Sequence, residues 1–254
     1  MRIALVTQAD PFYLADNLRY LFQLLPKDMR IVAAFVTKPS PFGQRKNFFS
    51  KALSTVKTFG FRFFCYYSFL YIINCFRKSK DVNKLLKDNS IKVINLKNSI
   101  NSAESIRNIK ELNVDILISI LGTDIFKSEF LQSTKYGCLN LHTSLLPKYR
   151  GLMPTFWVMK NNEKYTGVSV FMVDQGIDSG PIISQQKVEI GMSTQKELIQ
   201  KTKKIGMELI VDALIKIKNN NVKFITNPDE EKSYFSFPTR KDVLQFKRIK
   251  KKFY

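Results

Sequence analysis

Short apolar runs alternate with segments of helical periodicity through most of this chain, and this alternation is its strongest constraint on folding. Apolar runs joined by helical segments predict parallel strands, because parallel neighbours in a sheet need a long crossover connection. We therefore predict an α/β fold with a doubly wound, mostly parallel sheet. The predicted strands cover residues 2–7, 31–36, 93–96, 115–121, 136–144, 166–174 and 181–190, and the predicted helices cover 14–25, 105–112 and 194–219.

The last predicted helix divides the chain into two parts. Thr194 and Glu197 have the spacing of a capping box, which marks the start of this helix. Residues 1–219 are expected to form the main domain, interrupted by an aromatic helical insertion at about 50–80. Residues 220–254 are expected to form a C-terminal extension that packs on this domain or on a partner subunit.

The loop after the first predicted strand, TQADPF, contains no glycine, and no G-x-G-x-x-G sequence follows any predicted strand. A pyrophosphate can approach a helix N-terminus closely only where glycines leave room for it. The sequence therefore argues against a Rossmann-type dinucleotide site.

Lys and Arg recur along the chain and give it a formal net charge of +20. Such a field attracts anionic partners, which include nucleotide sugars, polyglutamylated cofactors, RNA and acidic membrane surfaces, although a Lys-rich surface without a function is the alternative.

The three cysteines, Cys65, Cys75 and Cys138, are odd in number and lack metal-ligand spacing. We expect no disulfide framework, no metal site and a reducing, cytoplasmic location. The apolar run after Met1 is too short for a secretory signal.

The segment 61–76, FRFFCYYSFLYIINCF, contains eight aromatic residues and a single charge, Arg62. It is shorter than the roughly 20 residues that a membrane-spanning helix needs, so we reject a transmembrane span. Three interpretations stay open: a helix buried in the core, an interfacial helix on the inner face of an anionic membrane, and a contact with a second copy of the chain or another partner.

His142 is the only histidine of the chain, and it lies two residues after Asn140 on a predicted strand that ends in a loop. The two side chains therefore share one face, at the carboxyl end where ligands bind in parallel sheets. An amide and an imidazole can stabilise a carbonyl oxygen that gains negative charge while an amine attacks its carbon. Asp174 and Asp178, in a glycine-containing loop after the next strand, are candidates for a carboxylate that orients the imidazole.

These residues belong to a longer pattern. Asn-x-His followed by SLLPKYRG, and then Pro154, Trp157, TGVSV and D-x-G-x-D-S-G-P-I-I, resembles the catalytic core of the folate-dependent formyltransferases. That family includes glycinamide ribonucleotide transformylase, methionyl-tRNA formyltransferase and the sugar N-formyltransferases. The resemblance is strong over residues 136–190 and follows the family's pattern over 1–135. It implies a Rossmann-like core, 10-formyltetrahydrofolate as formyl donor and no metal.

The resemblance also implies roles for particular residues. Asn140, His142 and Asp178 are expected to be catalytic. Loop residues are expected to bind the cofactor, namely Leu121, Gly122, Thr123, Asp124, Ile125, Val173, Asp174 and Gly176. Residues of the loop 144–151 are expected to bind the substrate, namely Ser144, Lys148 and Arg150.

Two departures from the family bear on the acceptor. The first loop differs from the glycine-rich phosphate loop of the glycinamide ribonucleotide enzymes, and few residues follow the long helix, where the methionyl-tRNA enzyme has a barrel domain. We therefore expect a small anionic amine, the amino group of a nucleotide-linked or lipid-linked amino sugar for a surface polysaccharide, and not tRNA. The alternatives are formylation of methionyl-tRNA or of an amino acid such as ornithine, hydrolysis of the cofactor, and a non-catalytic membrane- or RNA-binding protein on the same scaffold.

Overall fold

The structure is a computed structural model that describes residues 1–37, 48–96, 99–121 and 125–254. Its strands are β1 (Arg2–Gln8), β2 (Arg30–Thr37), β3 (Lys92–Asn95), β4 (Ile116–Ser119), β5 (Cys138–His142), β6 (Arg150–Gly151), β7 (Tyr165–Met172), β8 (Ile182–Glu189) and β9 (Tyr234–Phe235). Its α-helices are α1 (Leu14–Leu24), α2 (Phe48–Phe59), α3 (Phe61–Phe76), α4 (Val82–Asp88), α5 (Ala103–Glu111), α6 (Ser128–Leu131), α7 (Pro154–Lys160), α8 (Gln195–Lys218) and α9 (Arg240–Arg248).

Seven of the described strands form one sheet in the order β3-β2-β1-β4-β5-β7-β8. The first five are parallel neighbours, and β7 and β8 complete the sheet in antiparallel pairing. The direction of winding reverses between β1 and β4, which opens a crevice at the carboxyl ends of these strands. The prediction of a doubly wound, mostly parallel α/β fold is confirmed.

Alternate residues of β1 face opposite sides of the sheet, as strand geometry requires. Ile3 and Leu5 are buried in one core with residues of α1, α4 and α8, whereas Ala4 and Val6 are buried in a second core with residues of α5 and α6. Helices therefore cover both faces of the sheet and leave the ends of its strands uncovered by these two cores.

The predicted elements are present with small shifts at their ends. The predicted strand 136–144 shortens most, to Cys138–His142, and the predicted strand 115–121 shortens to Ile116–Ser119. Leu121 adopts a left-handed φ of 61°, so the extended chain has to end before it. The predicted capping box of α8 is present, because Thr194 and Glu197 each bond the other's backbone N–H.

The residues after α8 pack on the main domain of the same chain. Val243, Phe246 and Phe253 are buried in a third core together with residues of α7 and β7. Strand β9 pairs in parallel with β6, the short strand that ends the loop after β5. The C-terminal segment therefore supports this loop.

Helix α3 covers the predicted range 61–76, but the interpretation as a core helix is wrong. Among its residues, all of which the structure describes, only Asn74 is buried. The helix packs by one side on α2 and on the C-terminal residues, and its other side lies at the surface. None of the helices within the described residues is long and apolar enough to cross a membrane.

Candidate active site

A cleft of ≈ 430 Å³ opens at the carboxyl ends of β4 and β5. Asn140 and His142 of β5 line it together with Ser119, the last residue of β4. The loop that follows β7 adds Asp178 to the same cleft. The fold thus brings Asp178 to the same site as Asn140 and His142, which lie together on β5 far earlier in the sequence.

His142 lies between two oxygen atoms. Its Nε2 is 2.7 Å from the carbonyl oxygen of Tyr149, and its Nδ1 is 3.4 Å from Oδ2 of Asp178. A carbonyl oxygen can only accept, so Nε2 carries a proton and donates it, and Nδ1 is the nitrogen that can take up another. Only 8% of the His142 side chain and 12% of the Asp178 side chain are exposed. The basic nitrogen of the ring therefore has a fixed position beside a carboxylate.

Asp178 is itself held by the framework. Its Oδ2 accepts a hydrogen bond from the N–H of Gly151 at 2.8 Å, and its carbonyl oxygen accepts one from Nδ2 of Asn227 at 2.9 Å. Asn227 Nδ2 also donates to the carbonyl oxygen of Gly180 at 2.9 Å. A Cβ at Gly180 would lie 1.8 Å from the carbonyl oxygen of Met172, so only glycine fits this turn. These contacts fix the loop after β7 at Asp178 and at Gly180.

Asn140 is half-buried, and its amide has a defined orientation. Oδ1 accepts a hydrogen bond from the N–H of Leu141 at 2.9 Å. Since the oxygen is engaged with the backbone, the amide nitrogen with its two protons is the end that can donate to a ligand in the cleft.

The residues predicted to bind the cofactor lie along the same cleft where the structure describes them. The described ones that line it are Leu121, Ile125, Val173, Asp174 and Gly176. Three others, Gly122, Thr123 and Asp124, lie outside the described residues. The cleft therefore combines aliphatic side chains with the polar groups of the loop after β7. Within the described part of the chain, no group of three His, Cys, Asp or Glu side chains could hold a metal ion.

Asp174 takes part in the structure of its own loop. Its Oδ1 accepts hydrogen bonds from the N–H of Gly176 at 3.0 Å and from the hydroxyl of Ser179 at 2.6 Å. The carboxylate therefore shapes the turn that leads to Asp178, four residues later.

The three residues predicted to bind substrate are not among the described residues that line the cleft. Ser144 is fully buried, and its hydroxyl donates to the carbonyl oxygen of Lys148 at 2.8 Å. Ser144 therefore closes the loop on itself and cannot contact a ligand in the cleft. Lys148 contributes a backbone group to this closure.

Arg150 is a structural cation in this fold. Only 3% of the residue is exposed, and its guanidinium donates to Oδ1 of Asp229 at 2.6 Å and to the carbonyl oxygen of Asn227 at 3.0 Å. Lys232 and Arg150 lower the pKa of the Asp229 carboxyl by hydrogen bonds and charge. The substrate role expected for Arg150 is therefore corrected, because its charge is directed at the C-terminal segment and away from the cleft.

A cation that the sequence analysis did not select lies in the cleft. Lys203 of α8 lines it, and its Nζ is 4.9 Å from the centre of the Tyr13 ring. Burial lowers the pKa of Lys203, and the negative charge of Asp10 opposes this shift. The α1 residue Asn17 lines the same cleft. The cleft therefore contains a partly desolvated positive charge.

The supporting residues Asn227 and Ser233 were also missed. Asn227 bonds Asp178, in the loop after β7, from 49 residues away in the sequence. Ser233 bonds Tyr149, in the loop after β5, from 84 residues away. Only the NPDEE sequence, a polar turn in a basic chain, could have drawn attention to this segment. The helical period of α8 could have indicated Lys203. It places Lys203 on the same face as Met207, four residues later, and Met207 is fully buried.

Comparison with known proteins defines the class to which this fold and cleft belong. The model of a family described as formyl transferase matches residues 71–214, which are more than half of the chain. The chain therefore belongs to the formyl transferase family, as its motifs indicated. The matched region includes Asn140, His142 and Asp178.

Curated relatives of this chain include methionyl-tRNA formyltransferases. The methionyl-tRNA formyltransferase of Kosmotoga olearia is 34% identical over 147 residues, which are 58% of this chain and 47% of that protein. The chain spans about half the length of the curated relatives it matches.

Solved structures share the fold at lower identity. The N-formyltransferase from Helicobacter canadensis, in complex with folinic acid and dTDP-3-aminofucose, is 21% identical with a TM-score of 0.59, over 95% of this chain and 72% of that one. Phosphoribosylglycinamide formyltransferase from Bacillus halodurans is 21% identical with a TM-score of 0.60, over 85% of this chain and 95% of that one. These likenesses show a common fold.

Proposed function

We propose that this protein is an N-formyltransferase that moves a formyl group from 10-formyltetrahydrofolate to the primary amine of a small anionic acceptor, a nucleotide-linked or lipid-linked amino sugar. The observation that carries the proposal is the grouping of Asn140, His142 and Asp178 in one cleft, with the framework orienting each of them. Formyl transfer to an amine needs a donor for the oxygen that gains charge and an acceptor for the amine proton.

The described walls of the cleft suit a folate. Leu121, Ile125 and Val173 offer an aliphatic surface for a flat heteroaromatic ring, and the polar loop after β7 offers groups for its edge. The volume of ≈ 430 Å³ is in the range of small-molecule sites. When bound, 10-formyltetrahydrofolate supplies the formyl carbon that the amine attacks. The folinic acid in the Helicobacter canadensis protein supports this choice of donor.

Asn140 is proposed to stabilise the negative charge that develops on the formyl oxygen. Its Oδ1 is bonded to the backbone, so its amide N–H groups can be directed at that oxygen without reorganisation. A donor that is fixed before the reaction is more effective than water, which would have to reorient.

His142 is proposed to take the proton that the amine loses. Nε2 already donates to Tyr149, so the proton goes to Nδ1, and the resulting imidazolium lies against Asp178. Asp178 would stabilise this charge and keep the ring in place. His142 would then return the proton to the nitrogen that leaves the formyl carbon, as the bond between them breaks and tetrahydrofolate is released. A positively charged imidazolium beside the cleft would also stabilise the oxyanion that Asn140 contacts.

The acceptor is proposed to carry an anionic group, such as a diphosphate, which binds to Lys203. This cation lies in the cleft in a partly desolvated place, where its attraction to an anion is stronger than in water. The net charge of +20 would steer such a substrate towards the protein. The Helicobacter canadensis structure contains dTDP-3-aminofucose, an amine attached to a nucleoside diphosphate, which supports this acceptor class.

Methionyl-tRNA is the second candidate acceptor. The curated relatives with 34% and 40% identity are methionyl-tRNA formyltransferases, so the expectation that excluded tRNA is not confirmed. The basic composition of the chain would also suit a polyanion.

The experiment supplies 10-formyltetrahydrofolate in separate reactions with nucleotide-linked amino deoxysugars, lipid-linked amino sugars, methionyl-tRNA and ornithine. Mass spectrometry then reports a formyl increment on the acceptor, and His142→Gln serves as the inactive control. A product with an amino sugar that the control does not form supports the proposal. A product only with methionyl-tRNA or ornithine transfers the assignment to that acceptor, and binding of folate without any product would reject catalysis.

A further inference from the structure

Helix α3 carries apolar residues on two opposite sides. On its inner side, the Phe63 ring stacks on Phe59 at 4.4 Å and the Tyr66 ring stacks on Tyr254 at 3.7 Å between centroids. Its other side, which we call the outer stripe, consists of Phe61, Cys65, Phe69, Ile72 and Phe76, all exposed. The intervals of three and four residues place these side chains in one row along the helix.

The exposure of the outer stripe is large. Phe61 is 70% exposed, Phe69 62% and Phe76 85%. The row extends over about 22 Å, at 1.5 Å of rise per residue. Single exposed apolar residues are ordinary on soluble proteins, but a continuous apolar row is typical of an interaction surface.

Every charged residue in the sequence around α3 is basic. Between Asp28 and Asp81 there is no Asp or Glu, while this stretch contains Arg30, Lys38, Arg45, Lys46, Lys51, Lys57, Arg62, Arg77, Lys78 and Lys80. Arg62 is exposed at the start of the outer stripe, and Arg77 and Lys78 are exposed directly after its end. The partner of this surface should therefore combine an apolar interior with negative charge.

We propose that the outer stripe and its flanking cations bind the surface of an anionic membrane, with α3 lying in the plane of the interface. The apolar side chains would enter the boundary between headgroups and acyl chains, and the cations would contact the anionic headgroups. The proposal does not depend on which acceptor the enzyme uses.

Charge distinguishes this partner from a second copy of the chain. A two-fold interface places the same surface on both subunits, so Arg62, Arg77 and Lys78 would face the same cations of the other copy. With no acidic residue in the surrounding stretch of sequence, such a contact would bring like charges together. An anionic lipid surface can bury the apolar row among its acyl chains and pair the flanking cations with its headgroups.

Contacts on the inner side of α3 order the helix before it binds a partner. Phe63 contacts both Phe59 and Phe253, and Lys196 donates to the hydroxyl of Tyr66 at 3.0 Å. These contacts hold the inner side of α3 on the domain, so the outer stripe does not have to become ordered when it binds. A surface that is ordered beforehand loses less conformational entropy on association.

The position of α3 relates this surface to the cleft. The ring of Phe12, in the loop before α1, lies 5.8 Å from that of Tyr67 on α3. Two residues later Leu14 of α1 lines the cleft, and so does Asn17. A membrane on the outer stripe would thus lie beside the segment that borders the cleft, an arrangement that suits an acceptor carried on a lipid.

The test is co-sedimentation of the full chain with two kinds of vesicle, phosphatidylcholine alone and phosphatidylcholine mixed with phosphatidylglycerol. We expect binding to the anionic vesicles only, weakened by added salt because screening reduces the attraction. Phe69→Glu/Ile72→Glu should lower the affinity roughly 100-fold, since each side chain no longer leaves water. Arg77→Gln/Lys78→Gln should lower it about 25-fold, from about fivefold for each cation.

Matched variants make the test specific. Met192→Glu/Phe224→Glu changes two exposed apolar residues elsewhere, with the same change of charge, and Lys110→Gln/Lys223→Gln removes two exposed cations elsewhere. Both should bind vesicles as the unchanged protein does, and all variants should retain its melting temperature and its turnover of a soluble acceptor. Equal binding by Phe69→Glu/Ile72→Glu, or no binding to anionic vesicles, would overturn the proposal. So would a dimer in solution that this double variant converts to monomer.

Discussion

The Nε2 atom of His142 lies 2.7 Å from the carbonyl oxygen of Tyr149, and this contact determines which ring nitrogen can take up a proton. Tyr149 is held from several sides, since its N–H donates to the hydroxyl of Ser233 at 2.8 Å and its ring stacks on Phe235 at 5.2 Å. Burial and the hydrogen bond to Glu163 raise the pKa of Tyr149 to about 12, so the phenol remains a donor. The C-terminal segment therefore fixes the tautomer of the histidine.

Replacing His142 by glutamine separates hydrogen bonding from proton transfer. A glutamine amide can still donate towards Tyr149 but cannot take up a proton, so we expect kcat to fall by roughly 10² to 10⁴. Folate binding and the melting temperature should stay close to those of the unchanged protein. Steady-state kinetics and folate titration measure the two effects, with Lys148→Gln in the same loop as control. Near-normal kcat in His142→Gln would refute the proposed proton transfer.

Asp178→Asn tests the charge that faces His142. Asparagine can still accept from the N–H of Gly151, so the loop should keep its position, but the imidazolium loses its counter-ion. We expect kcat to fall about 10²- to 10³-fold with little change in folate affinity. Asp174→Ala, in the same loop, should instead weaken folate binding, because it removes the acceptor that shapes the turn. Similar kinetic effects of the two substitutions would contradict the separate roles.

The placement of Asn140 and His142 could be predicted because it depends on strand period and on the rule that parallel sheets bind ligands at their carboxyl ends. Asp178 could be selected from its motif. The contacts of Asn227 and Ser233 could not, since they join segments that only tertiary packing brings together. The start and end of α3 could be predicted from its composition. The side of the helix that is buried could not, because a helix that is apolar on both sides gives no sequence signal for it.

The substrate role predicted for Arg150 failed for a related reason. Its charge marked it as a ligand for an anion, whereas the fold uses that charge to bind Asp229 and Asn227. Arg150→Met should therefore lower the free energy of unfolding by about 2 kcal/mol through the lost charge-assisted hydrogen bonds. Chemical denaturation measures this change, with Lys148→Met as control. A higher KM for the acceptor with unchanged stability would instead support the substrate role.

Gly180 provides a test of the loop that carries Asp178. A Cβ at this position would lie 1.8 Å from the carbonyl oxygen of Met172, so Gly180→Ala has to displace the loop. We expect a loss of kcat of at least about tenfold from misplacement of Asp178, together with lower stability. Gly191→Ala is the matched control: it is strained by a φ of 55° but has no atom within 4 Å of the new Cβ. It should lower stability only and leave kcat unchanged; a normal kcat in Gly180→Ala would show that the loop tolerates displacement.

Lys203 is expected to contribute to acceptor binding at a cost in stability. Burial lowers its pKa in the folded protein, so the folded state disfavours the cation relative to the unfolded chain. Its contribution to stability is therefore greatest above the ordinary pKa of lysine and is lost as the pH falls through the lowered value. Lys203→Met should raise the melting temperature at neutral pH and remove this pH dependence, while acceptor KM rises about 10- to 100-fold.

The same charge predicts a pH profile for the unchanged enzyme. Acceptor KM should rise as the pH increases through the lowered pKa of Lys203, because the cation that binds the anionic group is then lost. Lys203→Arg should keep KM low to higher pH, since guanidinium stays protonated. Lys204→Met, at the exposed neighbouring position on α8, should alter neither the KM profile nor the alkaline stability. If Lys203→Met left acceptor KM unchanged while raising the melting temperature, Lys203 would be a buried charge without a role in binding, and the anionic group would have to be recognised elsewhere.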